Sequence, residues 1–235
     1  MKFSFIIPVL NEEVYIKTTI ESIKKQTEAA YEIIVVDNGS TDKTAEIARS
    51  LGCKVVKETK RGISHARNKG AKVARGDILC FVDADGVLSE DWVRHAKSVL
   101  LNKGVTAVDG LIIFSHHNVL KKALYNTWTL VAYTGLILSK VLLSRHFLTG
   151  NNMAIRRTVF KKLGGFEPVV SEQVRLSRKF WKLPGGKAVF SPKMLIYQSS
   201  RRFEAKGYIR TVFFWIKAAL RQVPQEQYVY KRTIP

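Results

Sequence analysis

The sequence predicts an α/β fold: a mostly parallel sheet with helices on both faces. Three observations predict it. Short apolar runs alternate with helix-period segments over the first hundred residues. The runs are apolar enough to be buried on both faces, as parallel strands between helices are. And three of them end in acids or amides, which places polar groups where ligands bind such sheets, outside the carboxyl ends of the strands.

Each element follows from its own residues. The run 3–9, FSFIIPV, is a compact strand. In the segment after it, Ile16, Ile20 and Ile23 stand at helical spacing, with Asn11 in position to cap. EIIVVD (32–37) is a second strand, and NGSTDKTAEIARSLG a turn and short helix closing near Gly52. KVVKE (54–58) is a third strand. GISHARNKGAKVA (62–74) gives a helix with Ala66, Gly70 and Ala74 on one face, and DILCFVD (77–83) a fourth strand. SEDWVRHAKSVL (89–100) is a helix with Ser89 as its expected cap. The first, second and fourth strands end at Asn11 and Glu12, at Asp37, and at Asp83 and Asp85.

The pattern changes past residue 104. AVDGLIIF (107–114) reads as a strand. ALYNTWTLVAYTGLILS (123–139) is 17 residues without a charge, flanked by Lys121, Lys122 and Lys140. A spanning helix needs roughly 20 predominantly apolar residues. With Asn126, its threonines and Gly135, this stretch is expected to lie in an interface or a core rather than to span. Glu172 and Gln173 begin a further helix with Val174, Leu176 and Phe180 on its apolar face.

The composition is that of a globular protein, 46% hydrophobic and 25% charged, but the charge is unbalanced. Lys and Arg total 39 against 19 acids, a formal net charge of +20, which suggests a polyanionic partner. Residues 200–235 hold eight Lys and Arg against two acids, and YIRTVFFWIKAAL (208–220) mixes aromatics with spaced cations, as helices on a membrane surface do. A nucleic-acid-binding module accounts for the charge but not for acids at three strand ends, and no nucleic-acid partner is expected. Cys53 and Cys80 have no metal-ligand spacing and read as buried free thiols of a reducing compartment. The opening apolar run is short and broken by Pro8, so it is not expected to be a secretory leader.

FVDADG (81–86) sets two carboxylates one residue apart in a basic chain. It fits a metal-and-phosphate site, a phosphatase-like nucleophile pair, or a plain strand end. Four segments in order favour the first. FIIPVLNEE, IIVVDNGSTDKT, RGISHARNKGAKVARGDILCFVDADG and TGNNMAIRRTVFKKLGGFE (149–167) together resemble the family 2 glycosyltransferases, covering residues 3–90 and 149–182. The resemblance implies the GT-A fold, a Rossmann-like sheet, with C-terminal amphipathic helices added. It implies residues 1–200 as the transferase domain, with a nucleotide-binding half (1–104) and an acceptor half (105–200), and 201–235 as a basic membrane-associated segment. It further implies inverting transfer from a nucleotide-diphospho-sugar, a divalent cation (Mn2+ or Mg2+), and a glycan or lipid-linked acceptor in cell-envelope synthesis. The place of work would be the cytoplasmic face of the membrane, peripherally bound.

By the same resemblance, Pro8, Val9, Asn11, Glu12, Asp37, Gly62, Arg67, Asp83 and Ala84 hold the donor. Asp85, with Asp83, holds the metal, and Asn151 and Asn152 lie on the acceptor side. One position departs from the family. Where many members carry Glu-Asp, with the Asp as catalytic base, this chain has Glu172 and Gln173. An amide cannot take the acceptor's proton. Either Glu172 is the base, or the acceptor is already ionised, or the chain is an impaired nucleotide-sugar-binding or scaffold protein.

Overall fold

The computed structural model describes residues 1–221. One eight-stranded sheet organises them: β1 (Phe3–Val9), β2 (Glu32–Asp37), β3 (Lys54–Lys57), β4 (Ile78–Val82), β5 (Gly86–Leu88), β6 (Val105–Ser115), β7 (Asn152–Arg156) and β8 (Lys187–Ser199). The spatial order is β3-β2-β1-β4-β7-β6-β8-β5. β1 to β4 pair in parallel; β7 runs against both β4 and β6, and β5 against β8. β6 and β8 are parallel to one another, so six strands share one direction and the carboxyl ends of β1, β2, β4 and β8 meet at one edge.

Helices α1 (Ile16–Lys24), α2 (Thr44–Ser50) and α4 (Trp92–Leu100) pack on one face; α3 (Ile63–Val73), α6 (Arg157–Lys162) and α7 (Glu172–Trp181) lie on the other. The period-3.6 apolar positions do this work: Ile16, Ile20 and Ile23 are fully buried in one cluster, and Ala66, Leu176 and Phe180 are buried in the second. The expected caps are not caps. Asn11 takes a positive φ of 57° and stands four residues before Tyr15, where α1 is capped. Ser89 stands two residues before Asp91, the residue that opens α4.

The 123–139 stretch lies within α5 (Val119–Leu143), and no helix among the described residues is long and apolar enough to cross a membrane. Its polar residues have a structural task. β7 pairs with β6 only over Ala107–Asp109, which leaves the next part of that β6 edge open. Asn126 fills it by accepting from the Phe114 N–H (3.0 Å) and donating to the Phe114 carbonyl (2.9 Å). Tyr133 does the same one turn-pair on, its hydroxyl accepting from the Ile112 N–H (3.1 Å) and donating to the Gly110 carbonyl (2.8 Å). Two further helices, α8 (Arg201–Lys206) and α9 (Tyr208–Arg221), fold back on α5 through an aromatic group in which Phe114, Trp128 and Phe203 surround Trp215.

Candidate active site

FVDADG is the turn from β4 into β5. The strand stops at Val82, and Asp83, Ala84 and Asp85 cross the carboxyl edge before β5 pairs with β8. The two carboxylates have different cationic partners. Asp83 accepts from Arg67 Nη2 of α3 at 2.7 Å. Asp85 accepts from Gln198 Nε2 at 3.0 Å and from Arg201 Nε at 3.0 Å.

Around Asp85 the contacts form a chain across the edge. Asn151 Nδ2 donates to Gln198 Oε1 at 2.8 Å, Gln198 to Asp85, and Arg201 to both Asp85 and Glu12 Oε1, the latter at 2.7 Å. Arg201 also lies over the Tyr15 ring, 4.6 Å from its centroid. Burial raises the Asp85 carboxyl above its ordinary range, against the pull of Arg201; Glu12 is raised by burial likewise. Glu12 Oε2 is buried without a hydrogen-bond partner.

Around Asp83 the arrangement is tighter. Arg67 is 2% exposed and bridges Asp83 and Glu172. Glu172, the first residue of α7, is itself buried, and desolvation raises its carboxyl against the pull of Arg67. Gln173 lines a cavity of about 530 Å³, as do Asp83, Asp85, Asn151 and Glu172.

The other expected donor residues also have contacts within the protein. Val9 packs in the core and its carbonyl accepts from the Asn38 N–H, while Ala84 is buried and its carbonyl accepts from the Thr19 hydroxyl at 2.6 Å. At the ends of β1 and β2 Pro8 pairs with Val36 and Val9 with Asp37, whose carboxylate accepts from the Ser40 N–H. Asn11 accepts from the Thr41 N–H and so pins the turn after β2. Gly62, at φ 129°, donates its N–H to Asn38. Asn152, expected on the acceptor side, is fully buried: it accepts from Trp92 Nε1 and donates to the Leu111 and Met194 carbonyls, which ties its amide to the protein interior. Arg67, expected against base or phosphate, is committed to two carboxylates.

The sequence reading missed Gln198 and Arg201. Their signal is QSSRR (198–202), polar residues and two arginines directly after a strand. The charge pattern places those arginines in the membrane-facing segment, whereas Arg201 turns inward onto acids and Arg202 lines the cavity.

The donor set suits a hard cation of one kind. Among the described residues no three His, Cys, Asp or Glu side chains are arranged to hold a metal. Two carboxylates with an unpaired buried oxygen nearby match an ion that takes its other ligands from phosphates and water, as Mg2+ does at phosphate-transfer sites.

Comparison with known proteins agrees with this geometry. The sequence model described as Glycosyl transferase family 2 matches residues 4–164. Glycosyltransferase AglE of Haloferax volcanii is 30% identical over 172 residues, 69% of this chain and 55% of that one. Glycosyltransferase GlyG of Streptococcus pneumoniae is 32% identical over 113 residues, 46% of this chain and 38% of that one. The chain thus matches about half the length of AglE and less of GlyG. Among solved structures, mannosyltransferase PcManGT from Pyrobaculum calidifontis, in complex with GDP-Man and Mn2+, superposes with a TM-score of 0.65 at 23% identity, over 92% of this chain and 64% of that one. Glucosyl-3-phosphoglycerate synthase from Mycobacterium tuberculosis, with Mn2+, UDP and phosphoglyceric acid, gives 0.63 at 23% identity, over 95% and 79%. Both likenesses show the fold, the GT-A architecture expected from the sequence. With the family's model covering most of the residues and its motifs meeting at one sheet edge, this chain belongs to glycosyl transferase family 2.

Proposed function

We propose that the chain is a metal-dependent inverting glycosyltransferase. It moves a sugar from a nucleotide-diphospho-sugar to a lipid-linked acceptor, while bound peripherally at the cytoplasmic face of a membrane. The observation that carries the reading is the linked row Asn151–Gln198–Asp85–Arg201–Glu12 beside the Asp83–Arg67–Glu172 bridge, on the carboxyl edge of a family 2 sheet. Structures of the same fold hold Mn2+ with GDP-Man or UDP, which supports both donor class and cation.

In this reading Asp85 and Asp83 hold the cation, with Pro8, Asn11, Glu12 and Asp37 along the nucleotide. A bound divalent cation neutralises charge on the departing diphosphate. Arg201, fixed at the same edge, adds a second cationic group there. The acceptor oxygen bonds to the anomeric carbon from the face opposite the diphosphate as the carbon–oxygen bond to the diphosphate breaks, which inverts that centre. Glu172 takes the hydroxyl proton. Burial has already raised its affinity for one, and it lines the cavity from which an acceptor reaches the edge. Asn151 and Gln173 orient the acceptor.

One observation favours a second reading of the same fold, a nucleotide-sugar-binding protein without turnover: an amide at the expected base position beside a Glu already tied to Arg67. Calorimetry of nucleotide-sugar binding, with and without manganese, tests the shared part. Asp85→Ala is expected to abolish the manganese-dependent component while the fold is retained. Unchanged metal-dependent affinity would show that Asp85 does not hold the cation. Turnover of the unsubstituted chain separates the two readings.

A further inference from the structure

The cavity at the site has two unlike ends. One end is polar, with Asp83, Asp85, Glu172 and Gln173. Arg67, Asn151, Gln198 and Arg202 line it as well, whereas toward the helices the lining is largely apolar: Trp128, Ala132 and Leu136 of α5 and Phe214, Trp215 and Leu220 of α9. At about 530 Å³ it has the size of a pocket for a whole small ligand, more than a hydroxyl group requires. It is also open to the outside at its apolar end, because Ile216 and Leu220 line it and are 42% and 76% exposed. The outer face of the α5 wall continues this surface with exposed Leu130, Val131, Ile137, Leu138, Val141 and Leu142. Cations flank the apolar row, Lys121 and Lys140 on α5 and Arg210, Lys217 and Arg221 on α9, all exposed.

We propose that this cavity takes the hydrocarbon chain of the acceptor, a single-tailed amphiphile whose headgroup oxygen lies at the Asp83–Glu172 end and whose tail leaves between α5 and α9 into lipid. The inference rests on the transferase reading above and specifies its acceptor. A sugar acceptor without a tail would leave the apolar part of this cavity to water, against walls of Trp, Phe and Leu that offer it few hydrogen bonds. An amphiphile satisfies both ends at once. The polar end also fixes which way it enters, since burying a headgroup among Trp128, Leu136 and Phe214 would strip it of partners.

The test uses the full chain, saturated with manganese and nucleoside diphosphate. Two homologous series, n-alkyl phosphates and n-alkanols from butyl to dodecyl, are titrated by calorimetry below their micelle-forming concentrations. Affinity is expected to tighten about fourfold per added methylene, until the tail outgrows the cavity. The tighter series identifies the headgroup as phosphate or hydroxyl. Ala132→Phe fills the cavity from α5 and is expected to flatten the dependence on length; Ala219→Phe does so from α9 if the first variant does not fold. Nucleotide binding in the same samples reports folding. Equal affinities for butyl and dodecyl members, or a length dependence untouched by either filling variant, would overturn the inference. Loss of nucleotide and manganese binding by the unsubstituted chain would instead overturn the transferase reading, so the two failures are distinguishable.

Discussion

Glu172 and Gln173 are successive residues of one helix, so their side chains leave the axis about 100° apart and cannot face one reacting carbon equally well. The structure gives them different surroundings. Glu172 is 5% exposed and held by Arg67, and Gln173 is half-buried on the cavity wall. Removing Arg67 would leave two carboxylates without their cation, and breaking a buried pair costs about 3–5 kcal/mol. Arg67 is therefore the clamp that makes an inward Glu172 tolerable. With a hydroxyl acceptor, Glu172→Gln is expected to slow single-turnover transfer by about 10²–10⁴, the usual worth of a positioned base. Gln173→Asp should change it little. The acid limb of kcat/KM should fall above pH 4.5, because burial raises the Glu172 carboxyl and the base works only when deprotonated. If transfer survives both substitutions, the nucleophile is already ionised, as a phosphate is. If Gln173→Asp accelerates transfer instead, the base position is the vacated one and Glu172 is structural.

Elements with a clean period were legible in the sequence. β1, β2 and β4 are built on short apolar runs, and α1, α3 and α4 carry apolar residues at three- and four-residue spacing, so a parallel sheet with helices packed on it could be read directly. β7 and β8 were not legible. β7 is five residues between two antiparallel partners, and β8 contains Pro192 and Lys193 where its pairing with β6 shifts register between Gly110 and Leu111. The site divides in the same way. Asp83 and Asp85 stood out because two acids ended an apolar strand. Gln198 and Arg201 did not, because their role depends on β8 returning to the edge of β4 through a strand the pattern hides. Close approach is equally invisible in a sequence. α3 lies against β1 so tightly that a Cβ at Gly70 would come within 2.4 Å of Ile6 Cγ2, in fully buried surroundings. Gly70→Ala should therefore cost about 1–3 kcal/mol from overpacking, outweighing its helix-propensity gain. At roughly 2–4 °C per kcal/mol for a chain of this size, thermal unfolding measures it. An unchanged melting temperature would mean that α3 stands farther from the sheet.

At the scale of the whole molecule, the site is locally acidic, with one arginine to each pair of carboxylates, Arg201 between Asp85 and Glu12 and Arg67 between Asp83 and Glu172, so the +20 excess lies elsewhere. What remains outside includes the cations of α5 and α9 beside exposed Phe213 and Ile216. Such a surface should bind anionic membranes at about 1 kcal/mol per cation, screened by salt. Co-sedimentation with anionic liposomes is expected to fall as salt rises, and to fall further when residues 203–235, of which 222–235 lie outside the described residues, are deleted. Equal binding to neutral and anionic liposomes at every salt concentration would remove the electrostatic component.

Arg201 also has a consequence for how the chain is made. It lies 116 residues beyond Asp85 and 189 beyond Glu12, the two acids it joins. During synthesis from the N-terminus, β1 to β4 can pair long before that side chain leaves the ribosome. Until then Arg67 can hold Asp83, but Asp85 and Glu12 have no arginine between them and stay open to whatever cation the surroundings supply. Arg201, at the start of α8, thus finishes a site whose acids are translated 116 and 189 residues earlier, and a nascent chain stalled short of residue 201 would leave Asp85 and Glu12 unpaired by it.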